Sequence, residues 1–147
     1  MDPLRNRTTV LLSVLAFLFF LRVVGQALVA FVGVTVLPPM SEWYSGLLPY
    51  RLLLPAQIVI LTLQAVISLQ LARGHGVLIT PRPRVGRVLI TLSVVYFLTM
   101  ALRYAVTMTW YPERRWLGTG TIPIVFHWVL AAYLFTLGRH HARGGAG

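Results

Sequence analysis

The sequence predicts an all-α membrane protein, a bundle of four transmembrane helices running up-down-up-down with the N- and C-termini in the cytoplasm. Three observations predict it. The 147 residues are 57% hydrophobic and only 11% charged, with mean hydropathy +0.76, whereas soluble domains carry about 25% charged residues. Four apolar runs are separated by segments rich in proline, glycine and arginine. The arginines are distributed unevenly among those segments, which sets an orientation.

The chain reads as one membrane domain, residues 1–147. Residues 1–8 are polar and basic at Arg5 and Arg7. The apolar run that follows is too long for the core of a signal peptide, holds an arginine and lacks an A-x-A site, so an uncleaved first span is expected over residues 9–37. Such a length lets the helix tilt in the bilayer. Pro38 and Pro39 are expected to end it. An interfacial outer loop, residues 38–51, carries Trp43, Tyr44 and Tyr50. Within it, Ser41 is placed to cap a short helix lying in the headgroup plane. The second span is expected over residues 52–72, with Pro55 in its first turn, where the missing N–H has no helical partner to lose.

A basic cytoplasmic loop follows over residues 73–87, holding Arg73, His75, Arg82, Arg84 and Arg87 between prolines and glycines. The third span is expected over residues 88–110 and stops before Pro112. Residues 112–120 read as a tight turn. Thr121 is the expected N-cap of the fourth span, residues 122–137, with Pro123 in its first turn. The glycine-rich basic tail, residues 138–147, is expected to fray.

Arginine placement gives the orientation. The N-terminus, the loop between spans two and three, and the tail carry Arg5, Arg7, Arg73, Arg82, Arg84, Arg87, Arg139 and Arg143, whereas the other two loops carry Arg51, Arg114 and Arg115. Positive charge is retained on the cytoplasmic side, which places both termini there, in a membrane of the bacterial inner (plasma) type. Trp43, Trp110, Trp116 and Trp128 all fall toward the opposite side and are expected to form an outer aromatic belt.

Composition also removes chemistry. All 13 basic residues are arginine, so a lysine Schiff base and a P-loop are excluded. With no cysteine, thiolate catalysis, disulfide exchange and iron–sulfur ligation are excluded as well. The net charge of +10 is spread over loops flanking apolar spans, a pattern that fits topology and anionic lipid headgroups and not nucleic acid. His140 and His141 are adjacent, point to different helix faces and have no acid nearby, so no metal site is predicted. A single intramembrane histidine, His127, gives no bis-histidine haem site, and no cofactor is predicted.

The informative residues are polar groups inside the spans. Arg22 lies midway along the first apolar run, and an arginine at the centre of a membrane helix costs at least ~2.5–3.5 kcal/mol unless a partner meets it. With a rise of about 1.5 Å per residue, Arg22 and Arg103 both reach roughly 20–22 Å above the inner surface. Gln57 and His127 come down to that level from the outer surface, and Gln26 sits slightly above it. On the third span, Tyr96, Thr99, Arg103, Thr107 and Trp110 share one helical stripe. Gln57, Gln64 and Ser68 do so on the second span, and Arg22, Gln26 and Gly33 on the first. Gln57, Gln64 and Gln70 read as glue between helices.

No span contains an acid; Asp2, Glu42 and Glu113 are the only ones in the chain. Either Glu42 or Glu113 folds inward to answer an arginine, or an external anion does. The sequence thus points to a non-enzymatic module that binds an anionic amphiphile, or a partner membrane subunit, through an outer-leaflet pocket of Arg22, Gln26, Gln57, Arg103 and His127. Membrane lipids are the first partners, with a homo-oligomer the form a partner subunit takes if it is a second copy. Two other readings stay open. One is a membrane enzyme acting on a lipid-linked phosphate or carboxylate, with His127 as general acid or base beside Glu42 or Glu113. The other is an oligomeric anion pore or small exporter.

Overall fold

The computed structural model describes residues 3–43, 49–110 and 121–143. They form five α-helices and no strand among the described residues: α1 Pro3–Ala27, α2 Met40–Trp43, α3 Tyr50–Arg73, α4 Pro83–Trp110 and α5 Thr121–Arg143. Four of these are long and apolar enough to cross a bilayer. The chain is an integral membrane protein.

The helix limits differ from the sequence expectation in informative ways. α1 is described from Pro3, and a proline there has no N–H to leave unpaired in a first turn. It runs into a π-helical turn, Leu28–Val32, and stops at Gly33, not at Pro38 and Pro39. Gly33 takes φ 68° and ψ 35°, the left-handed geometry that ends a helix and that glycine reaches without a Cβ penalty. α3 starts at Tyr50, since the Pro49 carbonyl accepts from the N–H groups of Leu52 at 2.9 Å and Leu53 at 3.1 Å. Pro55 therefore lies in the second turn and not the first. α4 starts at Pro83, five residues before the expected start, so part of the basic loop is helix. Its first turn closes when Gly86 N–H donates to the Arg82 carbonyl at 2.9 Å.

α5 does not end at Leu137; it continues to Arg143, and tertiary bonds hold the extension. His140 Nε2 donates to the Ile79 carbonyl at 2.8 Å and His141 Nδ1 to the Thr80 carbonyl at 3.1 Å. The expected fray therefore does not begin at residue 138. Residues 144–147 and the expected turn at 112–120 lie outside the described residues.

α4 and α5 make the most extensive helix pair, and α1 packs on both α3 and α5. Glycine sets the α4–α5 separation. A Cβ at Gly86 would lie 2.5 Å from the Ala142 nitrogen and 2.8 Å from the Gly138 carbonyl oxygen, so only glycine permits this approach. Small residues play this part in membranes because no hydrophobic force draws helices together in lipid, and close van der Waals contact must do it.

At the same end, Leu12, Ile67, Leu71, Ile79, Tyr133 and Leu137 form a buried apolar cluster drawn from α1, α3, α5 and the loop after α3. That loop is clasped by Gln70, whose Oε1 accepts from Leu78 N–H at 3.0 Å. Gln70 thus holds a loop and does not bridge helices. Most remaining apolar side chains face outward, Phe17, Val59, Leu98 and Leu102 among them, where acyl chains are their solvent.

Candidate functional site

Arg22 and Gln26 are one turn apart on α1 and share a face. The structure buries both, at 5% and 0% exposure, together with Gln57 of α3 at 3%. Gln57 Nε2 donates to Gln26 Oε1 at 3.1 Å. Gln26 Nε2 and Arg22 Nη2 both approach one acceptor, the backbone carbonyl of Trp43, at 3.5 and 3.4 Å. Those lengths are at the weak limit of hydrogen bonding.

Trp43 reaches this position for a local reason. After the turn at Gly33 the chain folds back, and the Trp43 indole Nε1 donates to the Pro38 carbonyl at 2.9 Å. The tip of its ring packs against Gly25, where a Cβ would sit 2.7 Å from Cη2. Glycine at that position admits the indole, and the backbone of the same residue supplies the carbonyl that Arg22 and Gln26 use. Trp43 is therefore buried and is not part of an interfacial belt, whereas Trp110 is 76% exposed. Trp128 is half-buried, packed against Phe97 and Tyr104. Trp116 lies outside the described residues.

The Arg22 guanidinium stands 5.9 Å from the centre of the Phe126 ring of α5, within cation–π distance. Its Nε has no hydrogen-bond partner among the described residues, and the same holds for Tyr50 Oη and Gln57 Oε1. Tyr50 and Tyr96 are within Coulombic reach of the guanidinium. His127 of α5 is half-buried and stacks on Tyr96 of α4, with ring centres 5.5 Å apart and planes 26° apart. It lies within Coulombic reach of both Arg22 and Arg103. Arg103 is itself half-buried on α4.

The five residues singled out by depth thus fall into two adjoining groups. Arg22, Gln26 and Gln57 are hydrogen-bonded into one unit with Trp43. Arg103 and His127 lie beside it across α4 and α5. The polar stripes do not face inward as wholes. Thr99 is exposed, and its hydroxyl donates to the Val95 carbonyl at 2.8 Å. That bond satisfies the group within its own helix, so it needs no interior. Trp110 and Gly33 are exposed too, while Gln64 is buried with both amide atoms lacking partners among the described residues.

Residue depth alone does not reveal Gly25, Tyr50, Phe126 or the Trp43 carbonyl. Gly25 had a signal: a glycine inside an apolar span marks a close approach. Whether Glu42 or Glu113 answers Arg22 falls outside the described residues, as do all three acidic side chains of the chain.

Chemically, the site leaves both donors and an acceptor unmet among the described residues: the guanidinium Nε, the Tyr50 hydroxyl and Gln57 Oε1 have no partner, and one carbonyl serves two donors. No group of three or more metal-ligating side chains occurs among the described residues. Comparison with known protein families, with curated proteins and with solved structures finds no match to this chain.

Proposed function

We infer that this membrane protein binds an anionic amphiphile, or seats a partner membrane subunit bearing an anionic group, through Arg22, Gln26, Gln57, Arg103 and His127 in its outer half. The observation that carries this reading is the buried Arg22 guanidinium, with Nε unpartnered among the described residues and Nη2 sharing a distant carbonyl. A phosphate or carboxylate brings acceptors for the guanidinium Nε and the Tyr50 hydroxyl, and guanidinium geometry suits both.

The same reading takes an up-down-up-down topology with both termini cytoplasmic, in an inner (plasma) membrane. Two contacts support the alternation: the Arg5 side chain near the start of α1 abuts Gly74 at the end of α3, and Gly86 near the start of α4 abuts Gly138 and Ala142 near the end of α5.

Arg22→Met tests the reading, with Arg103→Met beside it. In lipid-free detergent Arg22→Met is expected to raise stability by about 1–2 kcal/mol, since an apolar chain replaces a poorly answered buried charge. Phospholipid retained through purification, measured by mass spectrometry, is expected to fall. Unchanged stability together with unchanged lipid in both variants would overturn the proposal.

A further inference from the structure

We propose that the chain has a second binding site, at the opposite end of the molecule, for the headgroup of an anionic phospholipid, in the groove between the start of α1 and the end of α5. A cavity of about 280 Å³ lies there, lined by Arg7 and Leu11 of α1 and by Phe135, Arg139, His140 and Arg143 of α5, among others. Among the described residues, no acidic side chain lines it. Its volume is near the small end of the ~300–1,000 Å³ range of ligand pockets, which suits a phosphodiester and its polar substituent but not acyl chains.

The arrangement matches an amphiphile held at a membrane surface. Three arginines from two helices converge at the polar end, while Leu11 and Phe135 sit toward the middle of the bilayer and are exposed at 48% and 39%. The phosphate takes charge-assisted hydrogen bonds from the guanidinium groups, and its chains run down over Leu11 and Phe135, where lipid already lies. Arg139 is held in place by Phe135, with Cζ 5.9 Å from the ring centre. His140 is fixed by its bond to the Ile79 carbonyl. That bond places a proton on Nε2, so α5 is tied to the loop and the cavity wall is preformed.

A second basic groove, lined by Arg84, Arg87, Val88, Thr91 and Leu92, is a weaker candidate. All its residues come from one helix, so nothing closes on the phosphate from a second side. Basic pockets between helices on the cytoplasmic face are the sites at which anionic headgroups are held. The inference rests on the orientation proposed above only for the name of the leaflet; the groove and its charge do not depend on it.

The experiment is native mass spectrometry of the full chain released from nanodiscs of phosphatidylcholine and phosphatidylglycerol. The wild type is expected to retain phosphatidylglycerol in preference. Arg7→Gln/Arg143→Gln is expected to lower that retention about tenfold. Arg73→Gln/Arg82→Gln removes the same charge from the same side but outside the cavity, and is expected to leave retention unchanged. Thermal unfolding in detergent checks that both variants remain folded. Equal loss in the two double variants would overturn the site in favour of diffuse surface charge. Displacement of phosphatidylglycerol by equimolar inorganic phosphate would overturn a lipid as the occupant. The outer site is tested separately, since Arg22→Met leaves this groove intact.

Discussion

The two ends of the helix assembly solve the same problem with different materials. At the end carrying the loop after α3, apolar side chains interlock, Gly86 and Gly138 bring two backbones together, and the polar groups that close the loop have short bonds. His140, His141 and Gln70 all meet backbone partners within 3.1 Å. At the other end, Arg22 and Gln26 share a single carbonyl at 3.4 and 3.5 Å, and neighbouring polar atoms have no partner among the described residues. The first region closes its loop with short bonds to backbone. In the second, the polar groups around Arg22 are met by long bonds or by none among the described residues, and a bilayer interior makes that costly because no water is present to meet them.

This contrast can be broken at either end. Trp43→Ala is expected to have the largest effect, a loss of about 3 kcal/mol, since it removes a buried indole and frees the carbonyl that Arg22 and Gln26 share. Amide hydrogen exchange is expected to rise over residues 22–32 while the loop at residues 74–82 keeps its protection. Equal loss of protection at both places would show that the two ends do not behave separately.

Gly86→Ala attacks the other end. The new methyl meets backbone atoms of α5, which cannot rotate away as a side chain can, so a loss of about 2 kcal/mol is expected. Thermal unfolding in detergent measures it, and exchange is expected to rise at residues 138–143 while Gln26 and Gln57 remain protected. Tolerance of Gly86→Ala without change would mean that the two helices are not held by close approach.

The smallest expected effect is that of Gln57→Leu. It deletes the Gln26–Gln57 bond, and bonds between membrane helices average about 0.6 kcal/mol. A loss well above about 2 kcal/mol would assign to this pair a structural weight that the contrast denies it.

The residues themselves show why some of this was legible in the sequence. Hydropathy located four spans because crossing a bilayer needs about 20 apolar residues whatever the fold around them. Depth counting brought Arg22, Gln26 and Gln57 to one level because helical rise is constant. The inward faces of the spans were less legible than their depths. A stripe of Thr and Trp on α4 looked like an inward face, but Thr99 bonds its own helix and Trp110 suits an interface, so neither requires an interior. Helix ends were misplaced where a local signal was overridden or missed. Gly33 ends α1 before the two prolines are reached, and α5 passes Gly138 because that glycine packs on α4 and does not terminate the helix.

By itself, the sequence determined the membrane class, the number of spans, the exclusion of lysine and cysteine chemistry, and the residues whose burial would be costly. These follow from composition and from the fixed geometry of a helix in a bilayer. Only the tertiary structure decided which helices pack together, that Trp43 turns back onto Gly25 to supply the carbonyl facing Arg22, and that Arg7 meets Arg139 and Arg143 across one groove. Each of those depends on contacts between residues far apart in the chain, and no local periodicity encodes them.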